Sequence, residues 1–290
     1  MADHLAMAQR ADALGFAALW LRDVPFYDPR YGDVGQVFEP MVYMASLAMV
    51  TERIAIGTAG IVLPLREPKI LAKQATSIDQ LSGGRLLMGL SSGDRAAEYP
   101  LYGVDYDSRG DRFRDAFDVF QQVAQADFPT FESPRFGRSG GTHDLVPKPR
   151  HGVLPTIAIG RAQQTETWLA RHMDGLIVPA PPEDGLEALT AEWRVQVAGT
   201  CGEGVSKPLG IAGFLDLADN PAAPLERIRG GIRSGIDGLA AFLRRAADAG
   251  VAHVALNPKI SRRPYADVME ELAEALVRPA SKTSFESAVQ

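Results

Sequence analysis

The sequence predicts an α/β fold in which a parallel sheet is covered by helices. Short, mostly apolar strand-like runs alternate with amphipathic helical patterns along the chain, the arrangement that packs helices onto a parallel sheet. Seven such runs are legible in the 290 residues, one fewer than an eight-fold α/β barrel needs. A chain of this length buries about 75% of its unfolded surface, so core size imposes no limit. Residues 1–278 read as a single barrel domain and 279–290 as a tail that frays.

The first helix is marked by Leu5, Ala8, Ala11 and Leu14, which recur at helical spacing, and Gly15 is a natural helix stop. The apolar run Phe16 to Leu21 is the first strand. Pro40 opens a second helix with Met41, Met44, Ala45, Ala48 and Met49 on one face, a stripe read as packing. Ile54 to Thr58 is the next strand. A third helix carries Leu71, Gln74, Ala75, Ile78 and Leu81 and ends at Ser82-Gly83-Gly84, before the strand Leu86 to Leu90. Phe113, Ala116, Phe117, Phe120 and Val123 mark a longer helix. The Gly-, Pro- and Ser-rich stretch near 128–153 reads as an inserted loop or small hairpin. Thr156 to Gly160, Gly175 to Pro179, Leu209 to Phe214 and Val251 to Leu256 complete the strands. Val268, Leu272, Ala275 and Leu276 mark the last helix.

Composition narrows the function classes. Thirty Lys and Arg against 36 Asp and Glu give a net charge of −6, which argues against a nucleic-acid or anionic-membrane partner. Cys201 is the single cysteine, so it forms neither an internal disulfide nor a cysteine zinc site and reads as a free thiol. No apolar run is long enough for a membrane span, and no signal pattern opens the chain, so a cytoplasmic location is expected. The histidines show no metal-ligand spacing, and neither a Walker loop nor a dinucleotide-binding fingerprint occurs.

In a parallel α/β barrel, chemistry sits at the C-terminal strand ends. Gly160-Arg161-Ala162-Gln163-Gln164-Thr165 joins a strand to a helix through Trp168 and Leu169. Free N–H groups at a helix start favour an anion, Arg161 adds a forked cation and Thr165 a hydroxyl. The competing reading is that Thr165 caps the helix and Arg161 is a solvated charge. Gly89-Leu90-Ser91-Ser92-Gly93 matches the G-x-S-x-G elbow of serine hydrolases, with Ser91 as nucleophile. Its context fits poorly, because Gly93-Asp94-Arg95 runs on through Tyr99-Pro100-Leu101 as a loop and His253 lies inside a strand pattern. Asp107, Asp111, Arg109 and Arg112 read as a helix cap and charged face.

At Gly57-Thr58-Ala59-Gly60-Ile61-Val62-Leu63-Pro64 and Ile78-Asp79-Gln80-Leu81-Ser82-Gly83-Gly84-Arg85, the sequence resembles the bacterial luciferase-like flavin monooxygenases. The resemblance runs from about Leu5 to Leu276 and is most specific between Glu39 and Gly93. A second signature covers Gly160 to Gly175, with Trp168 and Asp174. It implies a TIM-type (β/α)8 barrel holding flavin mononucleotide, or in some branches a deazaflavin coenzyme. It places Gly160, Arg161, Ala162, Gln163 and Thr165 at the flavin phosphate, Ala162 acting through its backbone. Thr58 and Ala59 would face the flavin ring, with a non-proline cis bond at Ala59-Gly60, and Ser91, Ser92 and Gly93 would line the cofactor.

The chain departs from luciferase where Ser46 replaces a histidine and Ser91 a reactive cysteine, so light emission is not expected and the general base is unassigned. The family's first strand is also missing, which predicts further N-terminal residues in the native protein. The resemblance implies an FMN-dependent monooxygenase supplied by a separate flavin reductase and acting on a small-molecule substrate. Arg22, Asp23, Ser46, Tyr106 and Arg109 are the candidates near substrate. Loops 25–38 and 128–149 are expected to decide which substrate, and a homodimer through the second and third helices is expected. The alternatives are deazaflavin-dependent hydride transfer, a non-catalytic flavin-binding protein, and the Ser91 hydrolase.

Overall fold

Gly15, at φ 86°, ends the first helix where the sequence places its stop, so α1 spans His4–Leu14. The computed structural model describes residues 3–31 and 38–278, and the chain divides into two compact units. A central unit runs from Ala18 to Thr165; a flanking unit joins the residues up to Ala17 to those from Glu166 onward.

In the central unit the elements are β1 (Ala18–Leu21), α2 (Pro40–Val50), β2 (Ala55–Thr58), β3 (Ile61–Val62) and α3 (Pro68–Ser82). They continue with β4 (Leu86–Ser91), α4 (Arg109–Gln125), β5 (Thr130–Ser133), β6 (Gly137–Gly140) and β7 (Thr156–Ile159). β1 pairs with β2, β2 with β4 and β4 with β7, all parallel, and Leu21 lies opposite Thr58. β3 adds to β4 with Ile61 opposite Leu90. The inserted stretch forms the antiparallel hairpin β5–β6.

Helices α2 and α3 begin alike. Glu39 and Glu67 each precede a proline, and their carboxylates accept the Val42 and Lys69 backbone N–H groups. Arg85 then closes both helices at the other end. Its guanidinium donates to the carbonyls of Ala48 in the last turn of α2 and of Thr51 and Ile54 beyond it, and its Nε–H to the carbonyl of Ser82 at the end of α3. A single side chain thereby satisfies orphan carbonyls from two helices. Phe113, Phe117 and Phe120 of α4 are fully buried, as their spacing predicts. The stripes of α2 and α3 are narrower than the sequence reading. Met41 and Met44 are buried but Met49 is 68% exposed, and Leu71, Ala75 and Ile78 are buried but Leu81 is 52% exposed. The buried faces centre instead on Leu47 and Ala48 in α2 and on Ala72 and Thr76 in α3.

The flanking unit contains α1, α5 (Glu166–His172), β8 (Gly175–Pro179), α6 (Leu186–Cys201) and β9 (Leu209–Leu217). Next come β10 (Glu226–Ile228), β11 (Gly231–Ser234), α7 (Ile236–Asp248), β12 (His253–Asn257) and α8 (Tyr265–Leu272). β9 is the hub, parallel to β8, β11 and β12, and it extends past the predicted end at Phe214. β10 pairs antiparallel with β11. After α8 the chain makes a π turn, Ala273–Val277, which inserts an extra residue per turn and rotates the side chains beyond it. Ala273 is therefore buried and Ala275 exposed, against the sequence reading that put Ala275 on the apolar face.

All seven strands read from the sequence are present as β1, β2, β4, β7, β8, β9 and β12. Among the described residues no strand precedes α1, and the expected tail at 279–290 lies outside them. No helix among the described residues is long and apolar enough to cross a membrane.

Candidate functional site

The strand ends of the central unit bring together most of the residues singled out by sequence. At the end of β2, Thr58 is fully buried and its hydroxyl donates to the Gly89 carbonyl at 2.7 Å. The backbones of β2 and β4 come so close here that a Cβ on Gly89 would lie 1.6 Å from the Thr58 carbonyl oxygen. The next bond, Ala59-Gly60, is cis, as the resemblance implies. The Thr58 hydroxyl is thus already engaged within the strands.

Ser91 and Ser92 are held in a similar way. The Ser91 hydroxyl approaches the carbonyls of Gly60 and Ile61 at 3.4 Å each, and the Ser92 carbonyl accepts the buried Tyr99 hydroxyl. Gly93 takes φ 71°, and the chain enters a 3-10 turn at 96–102. A hydrolase elbow launches an α-helix from its nucleophile. This one does not, and the Ser91 hydroxyl leans on backbone acceptors.

Asp23 closes the other side of this junction. One carboxylate oxygen accepts the Val62 N–H at 2.9 Å and the other the Arg66 guanidinium at 2.5 Å. Arg66 reaches on to Glu39 at 2.7 Å. Burial disfavours the Arg66 charge, but Asp23 and Glu39 outweigh it and push its pKa up. Asp23, a sequence candidate near substrate, is buried with both oxygens engaged, one by Val62 and one by Arg66.

Beyond β4, Arg95 and Glu98 are both 6% exposed, with Nη1 and Oε1 3.8 Å apart. Burial pushes the Glu98 carboxyl above the usual range; Arg95 opposes this, while Asp23, Asp94 and Asp28 add to it. Tyr99 packs edge-on to Tyr106, and the Arg109 guanidinium lies 3.7 Å over the Tyr106 ring. Arg109 also donates to the Tyr106 carbonyl at 2.9 Å, while its buried Nε finds no acceptor among the described residues.

The loop after β7 packs against the first turns of α4. Gly160, Ala162 and Gln163 have φ of 65°, 48° and 59°. Consecutive left-handed residues that are not glycine cost roughly 1–2 kcal/mol each and persist where neighbours enforce them. Gln164 enforces them. Its buried amide donates to the carbonyls of Gly110 and Ala162, at 2.9 and 3.0 Å, and its oxygen accepts Arg114 Nε–H at 2.5 Å. Gly110 lets the loop approach, since a Cβ there would meet the Gln163 Cβ at 3.2 Å. Arg161 and Thr165 are exposed, and a Cβ on Gly160 would touch nothing within 4 Å.

Of the remaining predicted residues, Ser46 stands apart from this group. Ser46 is exposed on α2, and its hydroxyl turns back to the Val42 carbonyl at 3.4 Å. It is therefore a solvent-facing helix serine rather than a group lining the cluster. Arg22 is half-buried beside Asp23. Sequence reasoning missed Arg66, Glu98 and Gln164. Only Gln164 had a signal, a polar side chain within the candidate anion loop.

Parallel strands ending in a glycine-rich junction and a strained, cation-bearing loop make an α/β chain whose candidate site lies at the strand ends. Residues 1–282 match the luciferase-like monooxygenase family, and the chain belongs to it. The chain is 26% identical to limonene 1,2-monooxygenase of Rhodococcus erythropolis, over 80% of this chain and 58% of that protein. It is 25% identical to 4-hydroxyprotoasukamycin monooxygenase of Streptomyces nodosus subsp. asukaensis, over 66% and 51%. The chain thus spans a little over half the length of these two relatives. Among solved structures, the monooxygenase RslO1 from Streptomyces bottropensis superposes with TM-score 0.77 at 18% identity, covering 95% of this chain and 92% of that one. An F420-dependent secondary alcohol dehydrogenase bound to an F420-acetone adduct gives TM-score 0.78 at 18%, covering 95% and 94%. The fold is of the luciferase-like α/β barrel class.

Proposed function

We propose that the chain is a flavin-dependent monooxygenase acting with reduced flavin mononucleotide and oxygen on a small organic molecule. The observation that carries this reading is the 160–165 loop, whose left-handed residues are clamped by Gln164 while Arg161 faces outward. The residues present fit a flavin phosphate. The open side of Gly160 leaves room, Arg161 supplies a forked cation, and backbone N–H groups of Ala162 and Gln163 complete an anion cradle with Thr165. Bound there, the flavin would supply reduction of oxygen and transfer of one oxygen atom to the substrate.

The chain's own residues do the positioning. Gln164 and Arg114 hold the phosphate loop on α4. The strand-end backbone of Thr58 and Ala59, with Ser91, Ser92 and Gly93, would border the ring. Tyr99 and Tyr106 pack edge-on beside it, with the Arg109 guanidinium over the Tyr106 ring. A separate reductase would supply reduced flavin. Copies would pair through α2 and α3, whose Val42, Met49 and Leu81 are 65%, 68% and 52% exposed.

The alternative within the same fold is hydride transfer with a deazaflavin, which the bound adduct in one structural neighbour supports. Parallel fluorescence titrations with flavin mononucleotide and the deazaflavin coenzyme separate the two. Preference for flavin mononucleotide, followed by substrate-dependent oxygen uptake, is expected. Preference for the deazaflavin without oxygen uptake would replace the monooxygenase reading, and binding of neither would remove both.

A further inference from the structure

Asp23 lies two residues beyond β1 and accepts the Val62 N–H of β3. Val62 stands opposite Ser91 in the pairing of β3 with β4, and a Cβ on Gly93 would lie 2.7 Å from its Cγ1. Ala59 in turn donates its N–H to the carbonyl of Leu21, the last residue of β1. The Asp23 carboxylate, with its side chain 2% exposed, therefore sits among both backbone segments that would border a flavin ring.

Three charged groups meet there, and they are not balanced alike. Arg66 places Nη2 2.5 Å from Asp23 and Nη1 2.7 Å from Glu39. Glu39 has other compensation: its second oxygen accepts the Val42 N–H at the start of α2, where the helix end carries partial positive charge. Its side chain is also 38% exposed, so water screens it. Asp23 is buried, and its bond besides Arg66 is to a neutral backbone N–H. Arg66 is thus the cation that offsets Asp23. In a partly buried setting an uncompensated charge at such range shifts an ionic equilibrium by roughly tenfold or more.

We propose that Arg66 is a positioning residue that acts through Asp23: by neutralising this buried carboxylate beside the flavin ring, it sets the relative affinity for reduced and oxidised flavin. The inference rests on the flavin reading. In mildly alkaline solution the reduced ring is anionic and the oxidised ring neutral, so nearby charge acts on one form and not the other. Anaerobic titrations of the full chain with oxidised and with dithionite-reduced flavin mononucleotide give the ratio of the two dissociation constants. Arg66→Gln should weaken the reduced form relative to the oxidised one by roughly tenfold, which is about 30 mV toward lower potential for the bound flavin. Asp23→Asn keeps an acceptor and removes the charge, so it should move the ratio by roughly tenfold in the opposite direction, and it decides the matter if Arg66→Gln does not fold. The double variant should return the ratio toward that of the parent. A role confined to holding the fold would change both affinities by the same factor. An unchanged ratio in Asp23→Asn, or shifts of the same sign in the two single variants, would overturn the proposal while leaving the flavin reading intact. Failure of the parent to bind either form would remove the flavin reading itself, and this inference with it.

Discussion

Two strand-end loops of the central unit make opposite use of their polar groups. After β2, the Thr58 hydroxyl is spent on Gly89, the Asp23 carboxylate on Val62 and Arg66, and the Ser91 hydroxyl turns toward Gly60 and Ile61. After β7, a single buried side chain, Gln164, takes up the structural load and Arg161 stays at the surface. The first loop is a structural junction; the second, on the proposed function, is the one that would meet the cofactor's phosphate.

The largest expected effect tests the junction. Gly89→Ala forces a methyl into the Thr58 carbonyl, an overlap no rotamer relieves, and should cost more than about 4 kcal/mol. Soluble expression and the melting temperature report it; a normally folded variant would show that β2 and β4 can separate.

Gln164→Ala should come next, at about 1–3 kcal/mol, because it leaves Arg114 and two carbonyls without their partner. The melting temperature should fall by roughly 2–8 °C, and flavin affinity should fall with it. Gln164→Glu, which keeps the Arg114 bond but loses both N–H donors, should fall between the two. Equal flavin affinity in all three proteins would separate the clamp from binding.

Thr58→Val should lower stability by about 1 kcal/mol, seen in denaturant unfolding, and leave flavin affinity unchanged. A selective loss of affinity would mean that the hydroxyl reaches the ligand.

The smallest effect concerns pH. The raised Glu98 pKa means the folded state holds its proton more tightly than the unfolded chain does. Its contribution to stability is present below the ordinary carboxylate pKa and is lost as pH rises through the folded value. Glu98→Gln should therefore lower the melting temperature at acidic pH relative to that at neutral pH by about 1–2 °C compared with the parent. A rise at acidic relative to neutral pH would reverse the sign.

Much of the fold was legible because periodicity, caps and stops agree locally. Gly15 ends α1, the Glu-Pro pairs open α2 and α3, and the Phe113–Phe117–Phe120 spacing gives the buried face of α4. The misreadings arose where local pattern carries no information about rotation or partners. The π turn at Ala273 rotates the last residues, and helix faces at Met49 and Leu81 are set by what packs against them. The site was legible as segments but not as contacts. Asp23 looks the same in sequence whether it faces a substrate or ties down Val62 and Arg66. Arg66 and Gln164 act through partners 43 and 54 positions away, and such pairings lie beyond any local spacing rule.

The most direct measurement is a paired titration of flavin mononucleotide and riboflavin, which differ by the phosphate, against the parent chain and Arg161→Ala. In the parent, flavin mononucleotide should bind about 10–100-fold more tightly, and in Arg161→Ala that advantage should shrink toward unity with riboflavin affinity unchanged. Equal binding of the two ligands by the parent, or an equal loss for both in the variant, would contradict placing the phosphate at Arg161.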